Sequence, residues 1–244
     1  MELNPSDSPK VKILRVNAPE KRPLRIENVR RMMRHVVHPV ALITSTDILI
    51  SAEGAPISWK GATVSSFNTV TLSPLPIVSF NIKKLSSTYE AIKNSGLFRA
   101  HLLDSTKISA RIAGKFSGGN KSSPFHDESG SLESFALPIS RVNLLSERRP
   151  GREPPHINNY PRFRFSLRCQ YVPQKTVEIE DHVVVFGEVT ETEAHFHRLK
   201  ESSVLMYYVD GKYCPPISRT VSGCFSSSSD LRPSEENNDV DGVE

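Results

Sequence analysis

Cysteine is scarce in this chain: Cys169, Cys214 and Cys224 are the only three in 244 residues. They are far apart, odd in number and never in a C-x-x-C pair, so neither a disulfide framework nor a cysteine-built zinc site is expected. A reducing compartment fits that usage. No apolar run approaches the roughly 18 residues that a membrane span needs, and the first residues lack a secretory apolar stretch. Residues 1–35 are basic, but Glu2, Asp7, Glu20 and Glu27 argue against an organellar transit peptide, which is normally poor in acids. The cytoplasm is the expected compartment, with a mitochondrial placement left open. Also missing are G-x-G-x-x-G, a P-loop, H-E-x-x-H and G-x-S-x-G, which removes the Rossmann, kinase-like, zincin and hydrolase readings. If this chain carries out chemistry, the absence of these motifs puts it on a bound cofactor.

Hydrophobic residues make up only 37% of the sequence and the mean hydropathy is −0.34, so part of the chain is tail and loop and not core. Charge is unevenly spread. Residues 225–244 hold six carboxylates against Arg232 alone, a net −5; since the whole chain is +4, the rest carries +9. Nucleic-acid binding is one reading of a basic body. However, the lysines and arginines are scattered and are not interleaved with aromatics in any nucleic-acid motif. Small anionic ligands account for the same balance. The length suits a single all-β barrel domain.

Residues 1–23 are polar, contain Pro5, Pro9, Pro19 and Pro23, and read as a flexible arm. Ile26, Val29, Met33, Val36 and Val37 then recur at helical spacing, which predicts an amphipathic helix packed on the body. His38-Pro39 ends it. Val40 to Thr44 forms the first core strand, and Asp47 to Lys60 reads as a hairpin excursion with a short strand at Ile48-Leu49-Ile50. Trp59, the single tryptophan, reads as a half-exposed packing residue or as a cover for a flat ligand. Leu97 to Leu103 is a strand, followed by a helix capped by Asp104 or Ser105 with Ile108, Ile112 and Phe116 as its buried stripe. Residues 117–162, with Gly118-Gly119-Asn120 and six prolines, predict a long loop or lid. Phe163 to Val172 is strand-like, and Lys175 to Thr190 gives two strand segments around Glu180-Asp181. Gly187 marks a bulge or a close ligand approach there. Val204 to Tyr213 is the expected closing strand with a turn at Asp210-Gly211. Tyr207, Tyr208 and Tyr213 serve core packing, ring stacking or a dimer interface. His195 and His197 share one strand face, but no third ligand is near in sequence and no metal site is expected. Residues 225–244 read as a disordered acidic tail.

The chain is organised around Gly61 to Gly96. Ala62 to Val70 reads as a hydroxyl-rich strand, Leu72 to Pro76 as a proline-broken turn, Ile77 to Ile82 as an apolar strand, and the remainder as a basic loop and a short helix. Ser87-Thr88-Tyr89-Glu90 has capping-box spacing, with Ser87 as the cap and Glu90 reaching back to it. Lys93 and Gly96 mark the far end. Lys83, Lys84, Ser86, Ser87 and Thr88 surround the helix start, whose unpaired amides and partial positive charge suit an anion. An ordinary surface loop with two solvated lysines and a cap accounts for the same residues. In the strand, neither alternating face is simply apolar, so it is an edge or it lines a polar site. Gly61 at its mouth would let the backbone approach a flat ligand.

The run G-A-T-V-S-S-F-N-T-V-T-L, the proline turn, I-V-S-F-N-I, and S-S-T leading to S-G-L-F resemble the flavin reductase-like domain of the FMN-binding split barrel superfamily. His101-Leu102-Leu103, Ala110 to Phe116 and Asp181 to Val189 extend the resemblance in order, so that it covers roughly Asn28 to Tyr213. Ser73-Pro74-Leu75-Pro76 departs from the two adjacent prolines of many relatives, and residues 117–162 match least.

The resemblance implies a mainly β fold: an FMN-binding split β-barrel over residues 24–224 with a few peripheral helices and the 117–162 insertion. It implies an NAD(P)H-dependent flavin reductase or FMN-dependent oxidoreductase, with hydride passing from nicotinamide to flavin N5. FMN is the expected cofactor, FAD an alternative, and NADH or NADPH the reductant. Thr63, Val64, Ser65 and Ser66 would hold the flavin's polar edge. Asn81, Lys83, Ser86, Ser87 and Thr88 would hold the ribityl phosphate. His182 would position nicotinamide and flavin, although a histidine at a strand end with a satisfied hydrogen bond fits the sequence equally. A homodimer and a partner oxygenase are implied; nucleic acid, membrane and metal are not. The alternative is a non-catalytic FMN-binding or partner module.

Overall fold

The computed structural model describes residues 22–51, 55–132, 136–137, 150–157, 163–194 and 205–214. The expected arm through residue 21, His195 and His197, and the acidic tail lie outside them. Three helices are present among the described residues: α1 (Arg22–Met33), α2 (Ser87–Ser95) and α3 (Lys107–Ser117). The first strands are β1 (His38–Pro39), β2 (Ala41–Thr46), β3 (Trp59–Val64), β4 (Asn68–Thr71), β5 (Ile77–Lys83) and β6 (Leu97–Leu103). After them come β7 (Ala136–Leu137), β8 (His156–Ile157), β9 (Phe163–Tyr171) and β10 (Val177–Ile179). The last are β11 (His182–Ala194), β12 (Tyr207–Val209) and β13 (Lys212–Cys214).

The main sheet is antiparallel throughout and runs β3-β2-β6-β9-β11-β5-β4, with β10 added along β11. Its two end strands, β3 and β4, are consecutive in sequence and separated only by Ser65, Ser66 and Phe67. Four chain steps reach about 14 Å at most, whereas six strand spacings in a flat sheet would hold the ends about 29 Å apart. The sheet must therefore curl until its ends meet. At that seam a side chain replaces a ladder: Ser66 Oγ accepts from the Asn81 amide at 2.8 Å and donates to the Asn81 carbonyl at 3.4 Å. The expected mainly β split barrel with peripheral helices is the fold that forms. The expected single strand over Ala62–Val70 is instead two strands on opposite ends of the sheet, because Phe67 turns into the core between them.

Both faces of β2 are covered, which is why Val40 to Ile43 is continuously apolar. Ala41 and Ile43 join the inner core with Phe80, Phe98, Cys169, Val183 and Val185, and α2 contributes Tyr89 and Ile92. Phe80 and Phe98 meet edge to face at 5.3 Å. Val40 and Leu42 join an outer core with Trp59, Leu103, Ile112, Ala113, Phe116, Phe125 and Ile157. Trp59 is thus buried against Phe125 and covers no cleft.

Other local expectations shift in register. The cap of α3 is Thr106, whose Oγ1 accepts from the Ser109 amide, and Ser109 replaces Ile108 on the buried face. Asp104 accepts from the Thr106 and Ser109 hydroxyls instead of capping. Residues 48–50 form a turn tied to Asp47 instead of a strand. The expected closing strand is a hairpin of β12 and β13 that pairs with β1 in a separate sheet, and just before it Leu205 bridges Asp104 and the Met206 amide bonds the Leu103 carbonyl at the end of β6. Its turn follows expectation, with Asp210 and Gly211 both at positive φ. Helix α1 does not pack its apolar residues on the body: Ile26, Val29 and Met33 are 54%, 50% and 46% exposed.

A polar band on the outer face latches residues 150–157 to the sheet. Arg168 grips Glu153 with two bonds, Thr46 donates to the Glu153 carbonyl, Thr44 donates to the Pro155 carbonyl, and His156 meets Glu193 at 2.7 Å. His101 is fully buried with its ring 5.5 Å from that of His156. Burial, with His156 and Arg99 adding to it, pushes His101 well below its ordinary value. The bond from His156 holds the Glu193 carboxyl down to about 2. Both groups bind protons more readily unfolded than folded, so their contribution is complete above about pH 6.5 and is lost on acidification. His101 acts first, below its ordinary 6.5; Glu193 follows, from 4.5 toward about 2. Melting temperature measured against pH should therefore fall on both limbs in the parent. His101→Gln should flatten the upper limb and Glu193→Gln the lower; unchanged slopes would count against the assignment.

Candidate functional site

The barrel seam opens into a cleft of about 1040 Å³. Two sheet ends that no ladder joins leave backbone groups needing polar company, and the hydroxyl-rich sequence around residue 65 supplies it. Thr63, Val64, Ser65 and Ser66 form one wall, Asn81 and Lys83 with Ile82 another, and Ser86 and Ser87 the α2 end, with His182 at the edge. The structure thus gathers nine of the ten expected site residues. Thr88 is the exception. It is fully buried, and its Oγ1 accepts from Asn120 Nδ2 at 3.0 Å, because α2 begins one residue earlier than the capping-box spacing predicts.

The cap is Ser86, in extended geometry, whose Oγ accepts from the Thr88 amide at 3.3 Å. Ser87 is the first helical residue, and Glu90 pairs with Lys93 at 2.8 Å instead of reaching back. Gly96 closes the helix as expected, at φ 73° with its amide on the Ile92 carbonyl. The start of α2 keeps its partial positive charge facing the cleft beside Lys83.

Not all the cleft hydroxyls are available to a ligand. Thr63 Oγ1 donates to the Ala113 carbonyl at 2.7 Å, which ties β3 to α3, and Ser66 closes the seam. Ser87 Oγ only accepts, from Asn120 Nδ2 at 2.8 Å, and Ser65 makes no side-chain bond among the described residues. Ser65 and Ser87 therefore keep hydroxyl hydrogens to donate.

His182 sits opposite Lys83 in the β11–β5 register. Its Nδ1 donates to Asp181 Oδ1 at 2.8 Å, and that bond holds the Asp181 carboxyl below its usual range. A carboxylate only accepts, so Nδ1 carries the hydrogen of this bond.

Lys60, Lys83 and Lys121 line the cleft, and no aspartate or glutamate is among the described lining residues. That donor set fits a phosphorylated ligand with a flat apolar body, since Ala62, Val64, Ile82, Leu85 and Phe116 supply apolar wall. Gly61 does not serve ligand approach: a Cβ there would lie 2.6 Å from Phe116 Cε1, so the glycine makes room for that ring. Gly187 likewise makes room for Phe98, and the bulge of β11 comes later, between Val189 and Glu191. Asn120 and Lys121 were hidden in the loop that carries the least periodic sequence. Their one local signal is the Gly118-Gly119 pair that ends α3 and reverses the chain toward the cleft, with Gly119 at φ 75°.

Solved structures share this architecture. A flavin reductase domain protein from Arthrobacter sp. FB24 superposes with a TM-score of 0.54 at 19% identity, over 79% of this chain and 96% of that one. A homologue of nitrilotriacetate monooxygenase component B from Mycobacterium thermoresistibile gives 0.59 at 19% identity, over 86% and 97%. The NADH:FAD oxidoreductase SgcE6 of Streptomyces globisporus C-1027, in complex with NAD and FAD fragments, gives 0.55 at 19% identity, over 81% and 96%. Identities this low speak for the fold. Family membership rests on the sequence itself: residues 33–216 match the flavin reductase like domain, most of the length of the chain. The chain belongs to the flavin reductase-like domain family and is an oxidoreductase of the kind that reduces flavin with NAD(P)H.

Proposed function

We propose that the cleft at the seam takes FMN, or FAD through the same phosphate, with its phosphate at the start of α2, and that NADH or NADPH reduces it there. The observation that carries this reading is the cleft, with no carboxylate among its described lining residues, in which Lys83, the Ser87 hydroxyl and a helix N-terminus converge. Lys83 and Ser87 bind the phosphate, Ser65 and the end of β3 orient the polar edge of the ring, and apolar Val64 and Ile82 exclude water from its body. His182, held by Asp181, orients the nicotinamide through Nε2. Flavin supplies the chemistry when bound, accepting hydride at N5. The chain supplies proximity and alignment.

In this reading the protein is a cytoplasmic homodimer that passes reduced flavin to a partner oxygenase. The exposed apolar residues of α1 support the dimer, and the monooxygenase component among the structural relatives supports the partner. Among the described residues no helix is long and apolar enough to cross a membrane. The test is anaerobic mixing of protein and FMN with each nicotinamide, following flavin absorbance at about 450 nm. Rapid bleaching is the expected result, and sedimentation of the same sample should give twice the 27.2 kDa chain mass. FMN binding without bleaching would leave a non-catalytic FMN module.

A further inference from the structure

The side chain of Asn120 joins three parts of the cleft wall that are distant in sequence. Its Oδ1 accepts from the Gly61 amide of β3 at 3.0 Å, and its Nδ2 donates to Ser87 Oγ at 2.8 Å and Thr88 Oγ1 at 3.0 Å. The orientation of the amide is set by chemistry. A backbone N–H can only donate, so Oδ1 must face Gly61, and both hydrogens of Nδ2 must then face the two hydroxyls. Each hydroxyl oxygen is thereby made an acceptor toward Asn120, and its own hydrogen is directed elsewhere. For Ser87, a residue of the cleft wall, no bond from that hydrogen is present among the described residues, which leaves it to a ligand in the cleft.

We infer that Asn120 is a positioning residue: it turns the Ser87 hydroxyl into an obligate donor toward a phosphate at the start of α2, and so governs selection of phosphorylated flavin. This rests on the phosphate placement proposed above. Serine without that constraint rotates freely and accepts as readily as it donates. Asn120 also links β3 to the start of α2.

The experiment is direct binding of FMN and of riboflavin, which lacks the phosphate, measured by quenching of flavin fluorescence in the full chain without nicotinamide. The parent should prefer FMN. Asn120→Ala should weaken FMN by about 10-fold and leave riboflavin within about twofold. Asn120→Asp keeps the shape and the acceptor for Gly61, but it accepts the Ser87 hydrogen and adds a negative charge. It should weaken FMN by about 100-fold, and it serves if the alanine variant melts early. In a Ser87→Ala background the Asn120→Ala effect on FMN should shrink to within about twofold, because the residue acts through that hydroxyl. If the parent prefers FMN but neither Asn120 variant alters the FMN-to-riboflavin ratio, the inference is overturned and the phosphate placement stands. If the parent binds both flavins equally, the phosphate placement fails and takes the inference with it.

Discussion

Gly187→Ala will lower the melting temperature by about 6–12 °C, the equivalent of about 3 kcal/mol in a domain of this size. Gly187 lies inside β11, paired with Val78 of β5 on one side and Tyr171 of β9 on the other, so its backbone has no room to shift. A Cβ there would overlap Phe98 Cζ and Cε1 and lie 3.0 Å from the Cβ of Cys169. Phe98 has nowhere to retreat, being fully buried and packed edge-on against Phe80. Two companions make the mechanism testable by thermal melting. Gly114→Ala, inside α3 with nothing within 4 Å of the added carbon, should stabilise by about 0.5–1 kcal/mol through helix propensity alone. Gly187→Ala should also cost much less in a Phe98→Leu background. Equal cost in both backgrounds would show that collision with the ring is not the cause.

Ser87→Asp will separate binding from stability. At the first position of α2 a carboxylate suits the helix N-terminus and can still accept from Asn120, so the melting temperature should hold or rise slightly. FMN affinity should nevertheless fall by at least about 100-fold, since a donor is lost and a like charge is placed against the phosphate. Lys83→Glu should act in the same direction from the opposite wall. Calorimetric titration with FMN beside a thermal melt reads both quantities. An Asp variant that binds FMN as the parent does would move the phosphate away from α2, whatever its turnover.

The pattern of what the sequence disclosed follows the range of the forces involved. Helix α2, β6 and the β10–β11 pair were legible because their signals are local: Gly96 as a left-handed stop, an apolar strand after it, and a Glu180-Asp181 turn. Nine of the ten expected site residues line one cleft for a different reason, the family resemblance that singles out the stretch in which most of them lie. The break at Ser65 to Phe67 was not legible, since β-propensity runs through it and only the closing of the barrel decides that β3 and β4 lie on opposite ends. Asn120 was hidden because its meaning depends on Gly61, 59 residues away, and on Ser87, 33 residues away. The apolar face of α1 is exposed against expectation because amphipathic spacing reports that a face is apolar without reporting what covers it.

The single serine that closes the seam has a consequence for how rigidity is distributed around the ring. In the middle of the sheet β6, β9 and β11 are each held by full ladders on both sides, while no ladder joins β3 to β5 among the described residues and Ser66, just past β3, bonds the Asn81 backbone. The wall is thus like a cuff with one button: stiff around most of its circumference, able to breathe at one line. A molecule lodged between those two edges acts as a keystone. Its arrival should register as slowed amide exchange in β3 and β4, including residues that never touch it, while β6 and β9 hardly change.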